Sequence, residues 1–341
     1  MNLSFIDKVF VKRFMGEEIL LCVNNTRFSK NFEILQEGTM AMMDLWMHNF
    51  SRNINDILNG DSVKLLNSVD IKNTNNSAIV IGAGPSVHEK HHLEQLVESN
   101  YSGAIICTDR MLIPCIKKGI TPDRFPEFYV VTIDPDNKIA RFYDDPILKN
   151  FGKKIRVILS TCSAPLVLEK CKENDLRVFF VHPLIDDYRK TSSVNKTMNL
   201  MSKSEKNPKG FSGIQTGGNV GSSCWVVAWA ILGRSPVALF GINFGYLDDS
   251  KISETQHFKE LAKTVRGDEK TTESLYKRIF NPHLECNVLV DPVFDYYREA
   301  FCDLVTRTPS WVKTINATEG GSLFNDEIIQ KTLREFLQEF S

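Results

Sequence analysis

The sequence is short of several things that would assign a class at sight. Its 41 lysines and arginines balance 42 aspartates and glutamates to a formal net charge of -1. It therefore lacks the basic excess with which a dedicated nucleic-acid binder neutralises phosphates. No apolar run reaches the roughly 18 residues of a membrane helix. The opening MNLSFIDKVFVKRF scatters charges among its apolar residues and forms no signal-peptide core. The eight cysteines (22, 107, 115, 162, 171, 224, 286 and 302) contain no C-x-x-C pair. That disfavours a zinc site or a disulfide framework and fits reduced thiols in the cytoplasm. No G-x-x-x-x-G-K-[ST] occurs, which removes P-loop chemistry. The composition, 42% hydrophobic and 24% charged over 341 residues, leaves one large or two smaller globular domains, with neither nucleic acid nor a membrane span expected.

The stretch that stands out is SAIVIGAGPS, residues 77–86. Ala78–Ile81 is too short for a helix and suits a buried parallel strand. Gly82 and Gly84 then permit a tight turn and a close approach of backbone to ligand, while Pro85 and Ser86 suit a helix start. A strand, a glycine turn and a helix N-terminus together form an anion site, because free N–H groups and the helix dipole face the ligand. Val87 stands where G-x-G-x-x-G requires glycine, so an ordinary dinucleotide oxidoreductase is disfavoured.

From 77 to about 245 apolar strands alternate with helices. Strands are expected at Ala78–Ile81, Ala104–Cys107, Phe128–Ile133, Arg156–Leu159, Val178–Val181 and Val237–Phe240. Helices are expected at Val87–Glu98, Met111–Lys118, Ala164–Glu173 and Ser222–Leu232. The alternation predicts an α/β fold with a mostly parallel, Rossmann-like sheet covered by helices on both faces, its ligand edge at the strand C-termini. Before it lies a helical region, residues 1–76, where Met43, Trp46, Met47, Phe50, Ile54, Ile57 and Leu58 recur at helical spacing. That stripe can cap the core or pair with a second copy of the chain. The domain 77–250 is followed by an α-rich region, 251–341, with helices expected at Val293–Val305 and Asp326–Phe340 around a strand-like run, Trp311–Ile315.

Candidate site residues cluster at the expected strand ends. Asp109 follows the second strand, and Asp134 and Asp136 follow the third. Paired carboxylates beside a phosphate site hold magnesium or bind ribose hydroxyls, and a helix cap is their structural alternative. Thr216, Gly217 and Gly218 open the second glycine turn, ahead of the apolar CWVVAWAIL, whose helix start could meet phosphate. Asn243 and Tyr246 end the last central strand. The polar, lysine-rich 190–212 segment reads as a lid or a solvated loop. His88, His91 and His92 share a helix face, for which a solvated surface outweighs zinc.

Taken in order, GAGPS (82–86), TDR (108–110), GITPD (119–123), TIDPD (132–136), TGGNVG (216–221), LG-x-x-PV-x-LFGINFGY (232–246) and NATEGG (316–321) resemble the MptE-like group. That group comprises archaeal 6-hydroxymethyl-7,8-dihydropterin diphosphokinases and the motility accessory factors (Maf) that glycosylate flagellin. Small sialyltransferases using CMP-sialic acid have a similar layout. The resemblance implies a nucleotide-binding transferase. In the glycosyltransferase reading, a nonulosonic sugar moves from a CMP donor to a protein or glycan acceptor such as flagellin. Gly82, Gly84, Pro85, Ser86, Thr216, Gly217, Gly218 and Asn243 would hold the nucleotide, and Asp109 and Asp134 would order it. Tyr246 would stabilise the leaving phosphate, and His257, or else His182, would take the acceptor proton. In the diphosphokinase reading, ATP occupies the same cleft with magnesium on Asp134 and Asp136. A non-catalytic nucleotide-binding or partner module is the third reading.

Overall fold

The computed structural model describes residues 42–68, 75–186, 188, 191–265 and 267–341. Most of the expected N-terminal region, together with Cys22 and Lys190, lies outside the described residues. In chain order the strands are β1 (Asp61–Ser62), β2 (Ala78–Ile81), β3 (Ala104–Thr108), β4 (Phe128–Thr132), β5 (Arg156–Ser160), β6 (Arg177–Pro183), β7 (Gly213–Ile214), β8 (Val237–Phe240), β9 (Tyr246–Leu247), β10 (Lys277–Asn281), β11 (Cys286–Val290), β12 (Thr314–Asn316) and β13 (Ile328–Gln330). The helices are α1 (Met43–Asn59), α2 (Ser86–Glu89), α3 (His92–Glu98), α4 (Leu112–Lys118), α5 (Pro165–Glu173), α6 (Val194–Met201), α7 (Val220–Val226), α8 (Phe258–Thr264), α9 (Glu269–Ser274), α10 (Pro292–Thr306) and α11 (Leu333–Phe340).

The expected α/β architecture is what forms. A 10-stranded sheet runs β1-β6-β5-β4-β3-β2-β8-β12-β13, with β7 added beside β6, and all its pairs are parallel. Strands buried on both faces must be apolar throughout rather than alternating, and Ala78–Ile81, Ala104–Thr108 and Val237–Phe240 are buried at every position. Successive residues still face opposite ways. Ile79 and Ile81 join one core with α1, α3, α4, α5 and α11, while Ala78 and Val80 join another with α7 and α10. A smaller antiparallel sheet, β10-β11-β9, branches off after β8.

Four local expectations are corrected. The single helix over Val87–Glu98 is two, because His91 adopts a left-handed backbone (φ 53°) between α2 and α3. The helix expected over Asp326–Phe340 begins only at Leu333, since Ile328–Gln330 pairs with β12 and a Thr332–Glu335 capping box then starts α11. The buried run after Ser222 is α-helical only to Val226; a π segment follows, closed by Leu232 N–H donating to Val227 O (2.9 Å). The 190–212 stretch contains α6, capped by Ser193, and Lys206 pairs with Asp61 (2.7 Å) at the far edge strand β1.

Helix α1 ends at Gly60, as its stripe predicts, and buries Phe50 and Ile57. Its buried asparagines act as clamps on the strand-end loops. The Asn49 amide donates to Pro135 O (2.9 Å) and Cys162 O (3.1 Å), and the Asn53 amide donates to Ser163 O (2.9 Å). These bonds satisfy carbonyls that would otherwise be buried without partners.

Candidate functional site

After the two-residue β1, which ends up beside β6, the chain lays down β2, adds β3 to β6 on one side, then returns to place β8 and β12 on the other. The order reverses between β2 and β8, and in open α/β sheets the crevice at the C-terminal ends of such strands takes ligands. The loops leaving β2, β8 and β12 meet there. Gly84 N–H donates to Gly241 O (2.8 Å) and Ser86 Oγ–H to Asn243 Oδ1 (2.9 Å). Ile242 N–H donates to Thr318 Oγ1 (3.3 Å), and Ser322 N–H to Asn243 O (2.8 Å). Gly84 must be glycine because a Cβ there would lie 2.0 Å from Asn243 Oδ1. Asn243 is thus the hub of three loops, and NATEGG is their third strut. The backbone of Phe244 is left-handed (φ 44°), a strained conformation for an aromatic residue.

The two glycine turns converge on this crevice. Cβ atoms built at Gly82 and at Gly221 would both abut Ile242 Cδ1, at 2.4 and 2.7 Å. The second turn is shaped by its own side chains. Thr216 Oγ1 accepts from Gly218 N–H (3.3 Å), and Asn219 Oδ1 caps α7 by accepting from Ser222 N–H (2.9 Å). The start of this buried helix therefore has a protein cap, which the glycine pattern did not reveal. Gly218, exposed and at φ +81°, lies beside Tyr296 and Tyr297 of α10, 2.9 and 2.8 Å from where a Cβ would sit.

Asp109, at the end of β3, is 4% exposed. Its Oδ1 accepts from Arg110 N–H (2.7 Å), while Oδ2 is buried with no partner. Burial, reinforced by the Asp134 charge and partly offset by the Arg110 amide and the Thr132 hydroxyl, pushes its carboxyl up to about 7. Asp134 is half-buried and also raised, mainly by burial, and its Oδ1 accepts from Asp136 N–H (2.8 Å). Asp136 is turned towards its own chain: it caps a short 3-10 turn through Lys138 N–H (2.8 Å) and lies 3.6 Å from Lys138 Nζ. Pro85, exposed, precedes α2.

A second constellation forms after β8. Tyr246 Oη–H donates to Asp291 Oδ2 (2.7 Å), and His257 Nδ1 lies 2.8 Å from the same oxygen. Asp291 Oδ1 caps α10, accepting from Val293 and Phe294 N–H, both at 2.8 Å. Burial alone would raise the Asp291 carboxyl. The hydrogen bond and charge of His257, then the Phe294 amide and the Tyr246 hydroxyl, outweigh burial and hold it below the ordinary value. Tyr246 is raised by burial and then by the Asp291 charge. Aromatic rings connect this group to the glycine turn: His257 and Tyr246 pack on Phe294 (4.8 and 5.1 Å between centroids), and Phe294 on Tyr297 (6.4 Å). The Tyr297 phenol is raised by burial first, and it also feels both Asp134 and Asp291.

Two other histidines are buried. His182 is buried between Thr161 Oγ1 (2.8 Å) and Ser202 Oγ (3.1 Å), and burial pushes its imidazole down to about 3. His92 is fully buried rather than solvated, with Nε2 at 3.1 Å from Glu319 Oε1. Among the described residues no group of three or more His, Cys, Asp or Glu could hold a metal ion, and no helix is long and apolar enough to cross a membrane. Sequence reasoning missed Asp291, Asn219 and the Tyr296–Tyr297 pair. Asp291-Pro292 does carry a helix-start signal, but that signal says nothing of His257.

The sequence model of one protein family, 6-hydroxymethylpterin diphosphokinase MptE-like, matches residues 48–249. Among solved structures the fold is similar to the Maf glycosyltransferase from Magnetospirillum magneticum AMB-1. The TM-score is 0.50 and the sequence identity 14%, over 82% of this chain and 39% of that one. The chain thus spans well under half the length of that protein. No curated protein matches the sequence.

Proposed function

The chain belongs to the MptE-like family, and on that premise we propose that it is a nucleotide-dependent glycosyltransferase. Its donor is a CMP-linked nonulosonic sugar and its acceptor a hydroxyl of a protein or glycan, flagellin being one such protein. The observation that carries the reading is the meeting of the Gly82–Ser86 turn, Asn243 and the buried Asp109 carboxyl, whose Oδ2 makes no hydrogen bond, at the ends of the adjacent strands β2, β8 and β3. Within the turn Gly82 and Gly84 N–H donate to Phe240 O and Gly241 O (both 2.8 Å), so the amides left for phosphate are those of Ala83 and Ser86, and Asp109 offers a buried oxygen to a donor group of the nucleotide. The acceptor oxygen attacks the anomeric carbon, the bond from that carbon to the CMP phosphate breaks, and CMP leaves with the electron pair. The acceptor proton passes to His257. The Tyr246 phenol already donates to Asp291, so helping the leaving phosphate would require it to exchange that bond.

A second reading keeps the diphosphokinase, because Asp109 Oδ2 is an orphaned buried carboxylate oxygen beside Asp134. Magnesium would sit on Asp134 together with Asp109 or Asp136, each of the three using one oxygen to accept from a backbone N–H, and would supply charge neutralisation for a transferring diphosphoryl group. Thermal shifts with CMP, CDP and ATP, with and without magnesium, separate the two. Metal-free stabilisation by cytidine nucleotides, followed by CMP release from a CMP-sugar, supports the glycosyltransferase. A shift with ATP that requires magnesium replaces it with the kinase. No shift with any nucleotide refutes both.

A further inference from the structure

The carboxylate of Asp291 is fully buried and holds four donors at once. One oxygen is committed to the first turn of α10 and the other to Tyr246 and His257. An ionised carboxylate only accepts hydrogen bonds, and Asp291 is held ionised by these partners. The ring nitrogen facing it must therefore carry the proton, so neutral His257 is the Nδ1–H tautomer. Its Nε2 lone pair then accepts from the Gln256 side-chain N–H (3.1 Å), an exposed group that an attacking hydroxyl would displace. The ring is fixed in plane by this bond and across its face by Phe294, at 73° to it.

We infer that Asp291 is a positioning residue that sets the tautomer and orientation of His257 and anchors both to the start of α10. The inference rests on the reading of His257 as the acceptor base. Helix α10 also carries Tyr296 and Tyr297, which lie against the exposed Gly218 turn. Asp291 therefore ties the base and the tyrosines beside the second glycine turn to one helix. The carboxylate does not touch substrate; it makes Nε2 the acceptor of the proton that leaves the attacking hydroxyl. An imidazole held in the wrong tautomer keeps its place and loses its function, which in a Ser-His-Asp triad costs about 10⁴-fold in turnover.

Asp291→Asn tests this. The asparagine oxygen can keep capping Val293 and Phe294, while its NH₂ faces His257 and forces Nδ1 to accept. Two-dimensional ¹H–¹⁵N spectra of the imidazoles at pH 8, with His257 assigned through His257→Gln, read the tautomer directly. The wild type should show Nδ1–H and the variant Nε2–H. Transfer from a CMP-sugar should fall at least 100-fold in kcat with the donor KM within threefold. Asp291→Glu, which restores a carboxylate, should recover Nδ1–H. Nε2–H in the wild type overturns the inference even if the asparagine variant does not fold, and so does a variant that keeps Nδ1–H or wild-type kcat. Should the chain transfer no sugar, the spectra still decide the role of Asp291, and only the reading of His257 as base fails.

Discussion

Replacing Asp109 with asparagine separates a carboxyl that serves a ligand from one that is merely buried. The folded protein moves this group from 3.8 to about 7. Between those values the folded chain keeps a proton that the unfolded chain has lost, so Asp109 lowers stability as pH rises from about 4 to 7, and the full cost applies above 7. At 1.36 kcal/mol per pH unit the cost is about 4 kcal/mol. Asparagine removes it while keeping an acceptor for Arg110 N–H, but leaves a buried NH₂ in place of the unpartnered Oδ2, at about 1–3 kcal/mol. The net gain at pH 8 is therefore about 1–3 kcal/mol, worth roughly 2–4 °C per kcal/mol for a large domain. At pH 4 the gain should vanish or reverse.

The wild-type pH curve alone cannot isolate this effect. His182, held down to about 3 by burial, stabilises the fold above the unfolded histidine range near 6.5 and loses that contribution as pH falls. Its slope opposes that of Asp109 over the same interval. The difference between variant and wild-type melting temperatures cancels His182 and leaves Asp109. A difference that is constant from pH 4 to pH 8 refutes the burial argument. If Asp109 also contacts the nucleotide, the more stable variant should bind CMP at least tenfold more weakly, a loss of about 1.4 kcal/mol. Higher stability with unchanged affinity would leave Asp109 as a buried acid outside the site.

Three further outcomes are expected. Asn49→Leu strips the partners from Pro135 O and Cys162 O, which should cost about 1–3 kcal/mol in urea unfolding and weaken nucleotide binding through the Asp134 loop; unchanged affinity would show that the loop holds itself. Asn219→Ala removes the α7 cap, worth about 1 kcal/mol. Nucleotide should then raise the melting temperature of the variant more than that of the wild type if phosphate reaches the helix end, and equal shifts would place phosphate elsewhere. Gly84→Ala drives a methyl onto Asn243 Oδ1 and within 2.7 Å of Gly241 O. The Ser86–Asn243 bond should break, with a loss of about 1–3 kcal/mol and of nucleotide affinity by titration; wild-type behaviour would mean that the three loops are not packed as described.

The parts of the fold legible in sequence are those where one local signal suffices. Ala78–Ile81 and Val237–Phe240 are found to the residue because a strand covered on both faces must be a continuous apolar run. The parts that were not legible depend on partners distant in sequence. β1 and β7 are two residues each and are strands only by pairing with β6. β10 is largely exposed, so its run Lys277–Asn281 lacks the apolar content that marks a buried strand. The same holds at the site. Gly82, Gly84 and Asp109 announce themselves by type and position, whereas the work of Asn243 depends on Ser86, 157 residues away, and on Ser322. Asp291 was hidden for another reason: its N-cap role accounts for it fully until His257 and Tyr246 are seen against its other oxygen.

The layout also explains why family membership leaves the reaction open. The match to the MptE-like family ends at residue 249. It takes in β2, β3, β4 and β8, hence the glycine turns, Asp109, Asp134 and Asn243, and it stops just after Tyr246. His257 and Asp291 come later, on the excursion through β10 and β11 that the chain makes before re-entering the main sheet at β12. On the proposed reading, the matched part holds the nucleotide and the excursion handles the acceptor. On that reading a family sharing the first half can serve different acceptors, because the choice of attacking hydroxyl and its base is made by the second. The ring contacts from His257 through Phe294 to Tyr297, and the packing of Tyr297 on Gly218, are the physical link between the halves. Changes to the excursion should therefore alter acceptor use before they alter nucleotide affinity.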